Sequence, residues 1–262
     1  MSNDAARALH EAIVESLALP ASSRVNQRVP KKMLAEYGGA TATDRRLLTE
    51  GIEEAHWLAA IKPATAAVPA WRDEVREYLE VAVLSVELRA SHARATQLQR
   101  LTELVHRAVP YPVLLILLTP GAVELSLAHK RAAQNEAGKV VLDGDIVSLA
   151  LDAGLSHPAS LLAALPVDAQ PHTHLHALYQ GWMDCLIAAQ AERVTGSFSV
   201  AVTPDQAAIR RAALLEHQRL ELEAARLRAL AAKETQIAKR VEQNLALQRL
   251  QGELTAVRAR LQ

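Results

Sequence analysis

Three alternating histidines, His172, His174 and His176, are the side chains whose type best suits a transition metal. On a helix His172 and His176 share one face, a spacing that zinc sites use. No cysteine or carboxylate lies within three residues on either side to complete a ligand shell. Pro171-His172-Thr173 reads more simply as a loop entering a helix, with solvated histidines at its end, and no metal is expected. Glu87, Asp143, Asp145 and Lys130 could meet at a sheet edge as the acidic groups of a metal-dependent nuclease do. Such a site would show an acidic residue followed on the next strand by Glu-x-Lys, a phrase missing here. Asp143-Gly144 is a turn signal, and Glu87 and Lys130 are expected at strand ends, where charges emerge into water.

Lys31-Lys32, Arg45-Arg46, Arg107 and Lys130-Arg131 could form a basic face for a duplex backbone. Aromatic residues are only 3% of the chain, so stacking on exposed bases is disfavoured. Cys185, the only cysteine, lies beside the apolar stripe of a helix and is expected to be a small buried hydrophobe. The chain has no glycine-rich phosphate loop, Gly-x-Ser-x-Gly elbow or His-Glu-x-x-His, which speaks against an ATPase, an elbow hydrolase and a zinc protease. No catalytic residue and no cofactor are expected.

The elements that must position these groups follow from periodicity. Residues 4–18 carry Ala5, Leu9, Ile13, Val14 and Leu17 at helical spacing and stop at Pro20. Residues 21–29 read as a loop, Pro30 starts a short helix closed by Gly38-Gly39, and Thr43 is expected to cap the next. Residues 56–61 read as a strand and 63–69 as a loop. Residues 78–88 alternate as a strand, and Leu98, Leu101, Leu104, Val105 and Ala108 mark an amphipathic helix stopped by Pro110. Residues 113–118 and 123–129 form a hairpin about Thr119-Pro120-Gly121, and 139–151 supply another strand, whole or split at Asp143-Gly144. A short helix over 158–165 and a longer one bearing Leu175, Leu178, Tyr179, Trp182, Leu186 and Ala189 follow. This order predicts an α+β domain over residues 1–200, with helices on a mostly antiparallel sheet.

From Pro204 the composition changes. No proline or glycine intervenes before Gly252, and Ala, Leu, Arg, Glu and Gln dominate, which predicts one long helical arm over 204–262. The arm has 11 basic and 7 acidic side chains, net +4, leaving 18 against 22, net −4, for the remainder. Leu227, Leu230, Ile237 and Val241 fit one heptad register, with Glu234 in a core place. Leu247, Leu250, Leu254, Val257 and Leu261 fit a second, out of phase with the first, and a discontinuity near Leu245 would join them. These nine residues are the expected contacts of a coiled coil with a second copy or a helical partner protein. The longest strongly apolar run, residues 113–118, is far short of a membrane span. A lone cysteine and an N-terminus without a basic, then apolar, leader point to a cytoplasmic protein.

Several phrases together resemble a bacterial family, the domain of unknown function 4391. They are Leu19-Pro20, Val25-Asn26, Val29-Pro30-Lys31, Trp57, Ile61-Lys62-Pro63 and Thr65, then Glu87-Leu88, then His106-Arg107-Ala108-Val109-Pro110-Tyr111-Pro112, and Leu178-Tyr179. The resemblance covers residues 15–195. It implies an α+β fold and a setting beside helicases and DNA methyltransferases of the phage-defence kind, and it supplies no catalytic residues. The function expected is an accessory interaction protein that assembles through its arm; the alternative is a DNA-binding or nucleolytic component of the same system.

Overall fold

Two central strands, buried on both faces, organise the first part of the chain. The computed structural model describes residues 3–92, 94–134, 140–152 and 159–262. They divide into two compact units, Met1–Leu186 and Ile187–Gln262. In chain order the first unit holds α1 (Asn3–Ser16), β1 (Arg24–Arg28), α2 (Lys31–Gly38), α3 (Ala42–Gly51), β2 (Ile52–Ile61), α4 (Pro63–Ala66), β3 (Trp71–Arg72) and β4 (Glu77–Tyr78). Next come β5 (Val81–Leu88), α5 (Ala95–Ala108), β6 (Val113–Thr119), β7 (Ala122–Leu127), β8 (Lys130–Ala132), β9 (Val140–Leu142), β10 (Val147–Asp152) and α6 (Ala159–Ala164). The helix α7 (Leu175–Thr195) runs from the first unit into the second, which continues with α8 (Pro204–Lys233) and α9 (Ile237–Ala259).

The fold is α+β. Six strands form one sheet in the order β1-β2-β5-β6-β7-β10, and β3-β4 and β8-β9 are small separate ladders. Every pairing in the large sheet is antiparallel except β5 with β6, whose connection through α5 makes them parallel. All seven residues of β6 are buried, as an unbroken run of Val, Leu and Ile requires of a strand covered on both faces. One face packs α2, α3 and α5 through Leu34, Leu48, Leu101, Leu104 and Val105 against Leu84, Val86, Leu115 and Leu117. On the other lies α1, with Leu9, Ile13 and Leu17 buried, and α6 packs on α1. Tyr179 of α7 shares its single O–H between the Val113 and Ala128 carbonyls and accepts from the Ala128 amide, which ties α7 to the sheet.

Several local expectations need correction. Residues 24–28, expected in a loop, form the edge strand β1. Its polar Arg-Val-Asn-Gln-Arg sequence carries no alternation, its ladder is bulged, and Asn26 takes a left-handed φ of 49°. Thr41 rather than Thr43 caps α3. Its hydroxyl accepts from the Asp44 amide at 3.1 Å, and Asp44 reaches back to the Thr41 amide at 3.3 Å. β2 begins at Ile52 rather than 56, Pro63 opens the single turn α4 within the expected loop, and the strand expected over 78–88 is divided into β4 and β5. The split at Asp143-Gly144 in the strand region 139–151 is found as the turn signal there indicated, between β9 and β10, with Gly144 at a φ of 84°. Lys139 and Pro158, which open two of the expected segments, lie outside the described residues.

In the second unit the single continuous helix is replaced by two. α8 ends at Lys233, Glu234 and Gln236 are extended, and α9 starts at Ile237. The helices pack on each other, and Arg260 pairs with Glu216, so α9 returns antiparallel along α8. His217, Leu220, Ala224, Leu227 and Ala231 of α8 are buried or half-buried at alternating spacings of three and four. Gln243, Leu247, Leu250, Leu254, Val257 and Leu261 repeat that spacing in the returning segment. The phase change is therefore met by reversing the chain. Glu234 falls where the first register would bury it, and its carboxylate instead accepts from the Gln236 amide at 2.9 Å in the connection.

Candidate functional site

An open concave surface of the first unit grows from the end of α5. Prolines at 110 and 112 cannot continue a helix, so the chain leaves α5 extended and the Pro112 carbonyl receives the Ala82 amide at 2.9 Å. This turn presents Tyr111 to Trp57, with ring centroids 6.4 Å apart and planes inclined by 43°. Trp57 sits where the β2–β5 register shifts, and its indole N–H donates to the Ala59 carbonyl at 2.8 Å. α2 supplies Met33 and Tyr37 one turn apart, both well exposed. Gly38 lets α2 approach α5: a Cβ there would lie 2.4 Å from the Leu104 carbonyl oxygen. Together these side chains and Val140 bound an apolar groove of about 650 Å³. Among the described residues the Tyr111 hydroxyl has no hydrogen-bond partner, and its ring forms a wall of the groove.

Tyr111, Pro110 and Val140 also line a second cavity of about 330 Å³, whose other walls bear Arg72, Arg76, Lys130 and Arg131. Here the structure departs most from the surface-charge reading. Lys130 is 3% exposed. Its amine donates to the carbonyl of His106 at 2.6 Å and to that of Val109, so it closes the C-terminus of α5. Burial pushes its pKa down to about 7. His106 is also sealed; its Nε2 meets the Ser126 hydroxyl at 3.0 Å, while Nδ1 has no hydrogen-bond partner among the described residues. Burial first, and the nearby Lys130 second, lower the His106 pKa to about 3.

The remaining acids of the proposed quartet do not join Lys130. Glu87 pairs with Arg7, and Asp143 bridges Arg76 at 2.6 Å and Arg131 at 3.6 Å. Asp145 lines a different cavity beside Glu124, on the α5–β7–β10 side. The basic residues are likewise dispersed. Lys31 donates to the Ile52 carbonyl, Arg45 to the Gly39 carbonyl, Arg46 pairs with Glu50 and Arg107 with Glu103. Lys32 alone of that set is exposed without a described partner.

The three histidines divide as well. His172 is exposed, 3.9 Å from Asp168. His174 Nδ1 accepts the Ala177 amide at 3.0 Å, capping the start of α7. His176 packs at 4.3 Å from the Trp71 ring and stacks on His129 at 5.0 Å. Its pKa is depressed to about 4, by burial first and then by the neighbouring His129, Arg76 and His174. Among the described residues no three His, Cys, Asp or Glu side chains are placed to hold a metal ion. Cys185 is buried and its thiol pushed up to about 12, chiefly by desolvation.

Sequence reasoning missed one connected set. Gln180 gives its amide N–H to Asp184 at 2.9 Å, so its oxygen must accept from His129 Nε2 at 2.8 Å. That tautomer leaves His129 Nδ1 to accept the buried Tyr78 hydroxyl. Only the Gln180/Asp184 spacing on one helix was visible beforehand; the partners lie about 50 residues away in the chain.

Among the described residues no helix is long and apolar enough to cross a membrane. No curated protein and no solved structure matches the chain. A family model does match, over residues 17–254, which carries the likeness beyond residue 195 through α8 and most of α9. Val29, Trp57 and Val109-Pro110-Tyr111, scattered in sequence, meet in the one groove, and the chain belongs to the family of the domain of unknown function DUF4391.

Proposed function

We propose that this chain is a non-catalytic interaction protein of the cytoplasm that assembles through its C-terminal arm, with a second copy as the first partner. One observation carries the reading. Leu222, Leu230, Ile237, Val241 and Leu245 stand 44–74% exposed on the distal half of the α8–α9 hairpin, while the heptad stripe of each helix is already used by the other. Ile237, Val241 and Leu245 recur every four residues, so they form one continuous strip on α9. Burying an exposed aliphatic side chain yields about 1.5–3 kcal/mol, and clustered exposure of this kind marks a contact surface. A coiled-coil pairing of hairpins would cover the strip. The larger enzyme on which the assembled protein docks is, by family resemblance, a helicase or DNA methyltransferase of a phage-defence system. The groove between Met33, Trp57 and Tyr111 is the corresponding feature of the first unit.

Light scattering tests the arm. Full-length protein is expected at a mass of two chains or more, falling to one in Ile237→Asp/Val241→Asp/Leu245→Asp, with circular dichroism unchanged. A full-length monomer, or a variant that assembles as before, would refute self-association through this strip.

A further inference from the structure

Lys130 is the one buried amine of the cavity behind Tyr111, and no carboxylate among the described residues pairs with it. We propose that Lys130 is a covalent capture site for small carbonyl compounds, its amine condensing with an aldehyde or ketone in the cavity it lines with Tyr111. The inference goes beyond assembly and does not depend on it.

Hydrogen-bond stoichiometry supports it. An ammonium has three N–H donors, but the described acceptors for Nζ are two, the His106 and Val109 carbonyls. A neutral amine satisfies both with its two N–H groups and keeps a lone pair. The surroundings favour that form. Lys130 is buried, and loss of hydration alone disfavours its charged form. An ordinary lysine at neutral pH is neutral in about one molecule in several thousand, whereas a lysine poised near 7 is neutral in about half.

Arg72, Arg76 and Arg131 line the same cavity, where Asp73, Glu74 and Glu77 offset their charge. Each guanidinium has five donors, more than its contacts with Glu77 or Asp143 consume. The spare donors can hold a further acceptor group of the carbonyl compound, and a cavity of about 330 Å³ suits a ligand of modest size. In the reaction the nitrogen lone pair attacks the carbonyl carbon and the C=O π pair moves to oxygen. A proton passes from nitrogen to that oxygen to give the carbinolamine, whose hydroxyl then leaves as water with the second N–H proton while the nitrogen lone pair forms the C=N bond. One water is released, and no oxidant or reductant is consumed. The imine nitrogen keeps at most one N–H, so capture also removes a donor from the end of α5.

Reductive trapping tests the proposal on the full chain. The protein is treated with glyoxylate and cyanoborohydride at neutral pH, and adducts are mapped by peptide mass spectrometry. Lys130 is expected to carry the adduct before the exposed Lys32 and Lys239, with labelling that rises through about pH 7 and then levels. Lys130→Arg is expected to abolish the Lys130 adduct and leave the others unchanged. Adducts that follow exposure, with Lys130 unmodified in the folded protein, would overturn the proposal. The wild-type site map decides this even if the variant fails to fold.

Discussion

The ring of Tyr111 stands against that of Trp57, joining the end of α5 to the second strand of the sheet across 54 residues of chain. The contact is half-exposed and so contributes by shape as much as by burial. Tyr111→Ala is expected to cost about 0.5–1.5 kcal/mol in urea unfolding and to alter Trp57 fluorescence. Tyr111→Phe is expected to restore both, because the hydroxyl has no described partner. A Tyr111→Phe variant as impaired as Tyr111→Ala would show that the hydroxyl, not the ring, matters.

Lys130 predicts a pH dependence whose sign is fixed. Its folded pKa, about 7, lies below the unfolded value of 10.5. Between the two the unfolded chain binds more protons, so stability rises as pH increases through this window. Chemical unfolding at pH 7 and pH 9 is expected to differ by roughly 1–3 kcal/mol in favour of pH 9. In Lys130→Met this increment is expected to disappear. An unchanged slope in the variant would assign the dependence elsewhere.

The hairpin supplies an internal comparison. Leu250 is 8% exposed on the packed stripe, whereas Leu222 is 74% exposed on the outer face. Leu250→Ala is expected to lower stability by about 2–3 kcal/mol, and Leu222→Ala to leave it within about 0.5 kcal/mol. Equal costs for the two in a dilute, unassociated sample would contradict the packing described.

Tyr179 offers a test of a buried polar anchor. Tyr179→Phe preserves the ring but orphans the Ala128 amide and removes the donor to the Val113 carbonyl. A loss of about 1–3 kcal/mol is expected by thermal or urea unfolding. A neutral effect would mean that water replaces the hydroxyl, which is 0% exposed with the rest of its residue.

The sequence made the centre of the fold legible because its strands are either fully apolar, as in β6, or bounded by prolines and glycines. β1 was not legible: an edge strand of Arg, Asn and Gln is held by the ladder of β2 rather than by any apolar alternation of its own. Thr41 and Thr43 are equivalent by composition, and only the reach of Asp44 at the third helical position separates them. The hairpin turn lacks glycine and proline; its sign was the acidic Glu234 in a core place, which reads equally as a local defect in a straight helix. For the groove, Val109-Pro110-Tyr111 declared a helix stop, but its meeting with Trp57 depends on the β2–β5 register shift. Lys130 misled because a charge at a strand end is normally solvated, and its acceptors lie more than 20 residues earlier in the chain.

The reversal at Glu234–Gln236 makes the lengths of the two arm helices mutually dependent. The 30 residues of α8 span about 45 Å, and α9 retraces most of that distance, so the segment reaches about half as far as an unbroken rod would. A heptad removed from one helix alone would leave leucines of the other facing water, whereas matched removal from both would shorten the hairpin and keep its seam in step.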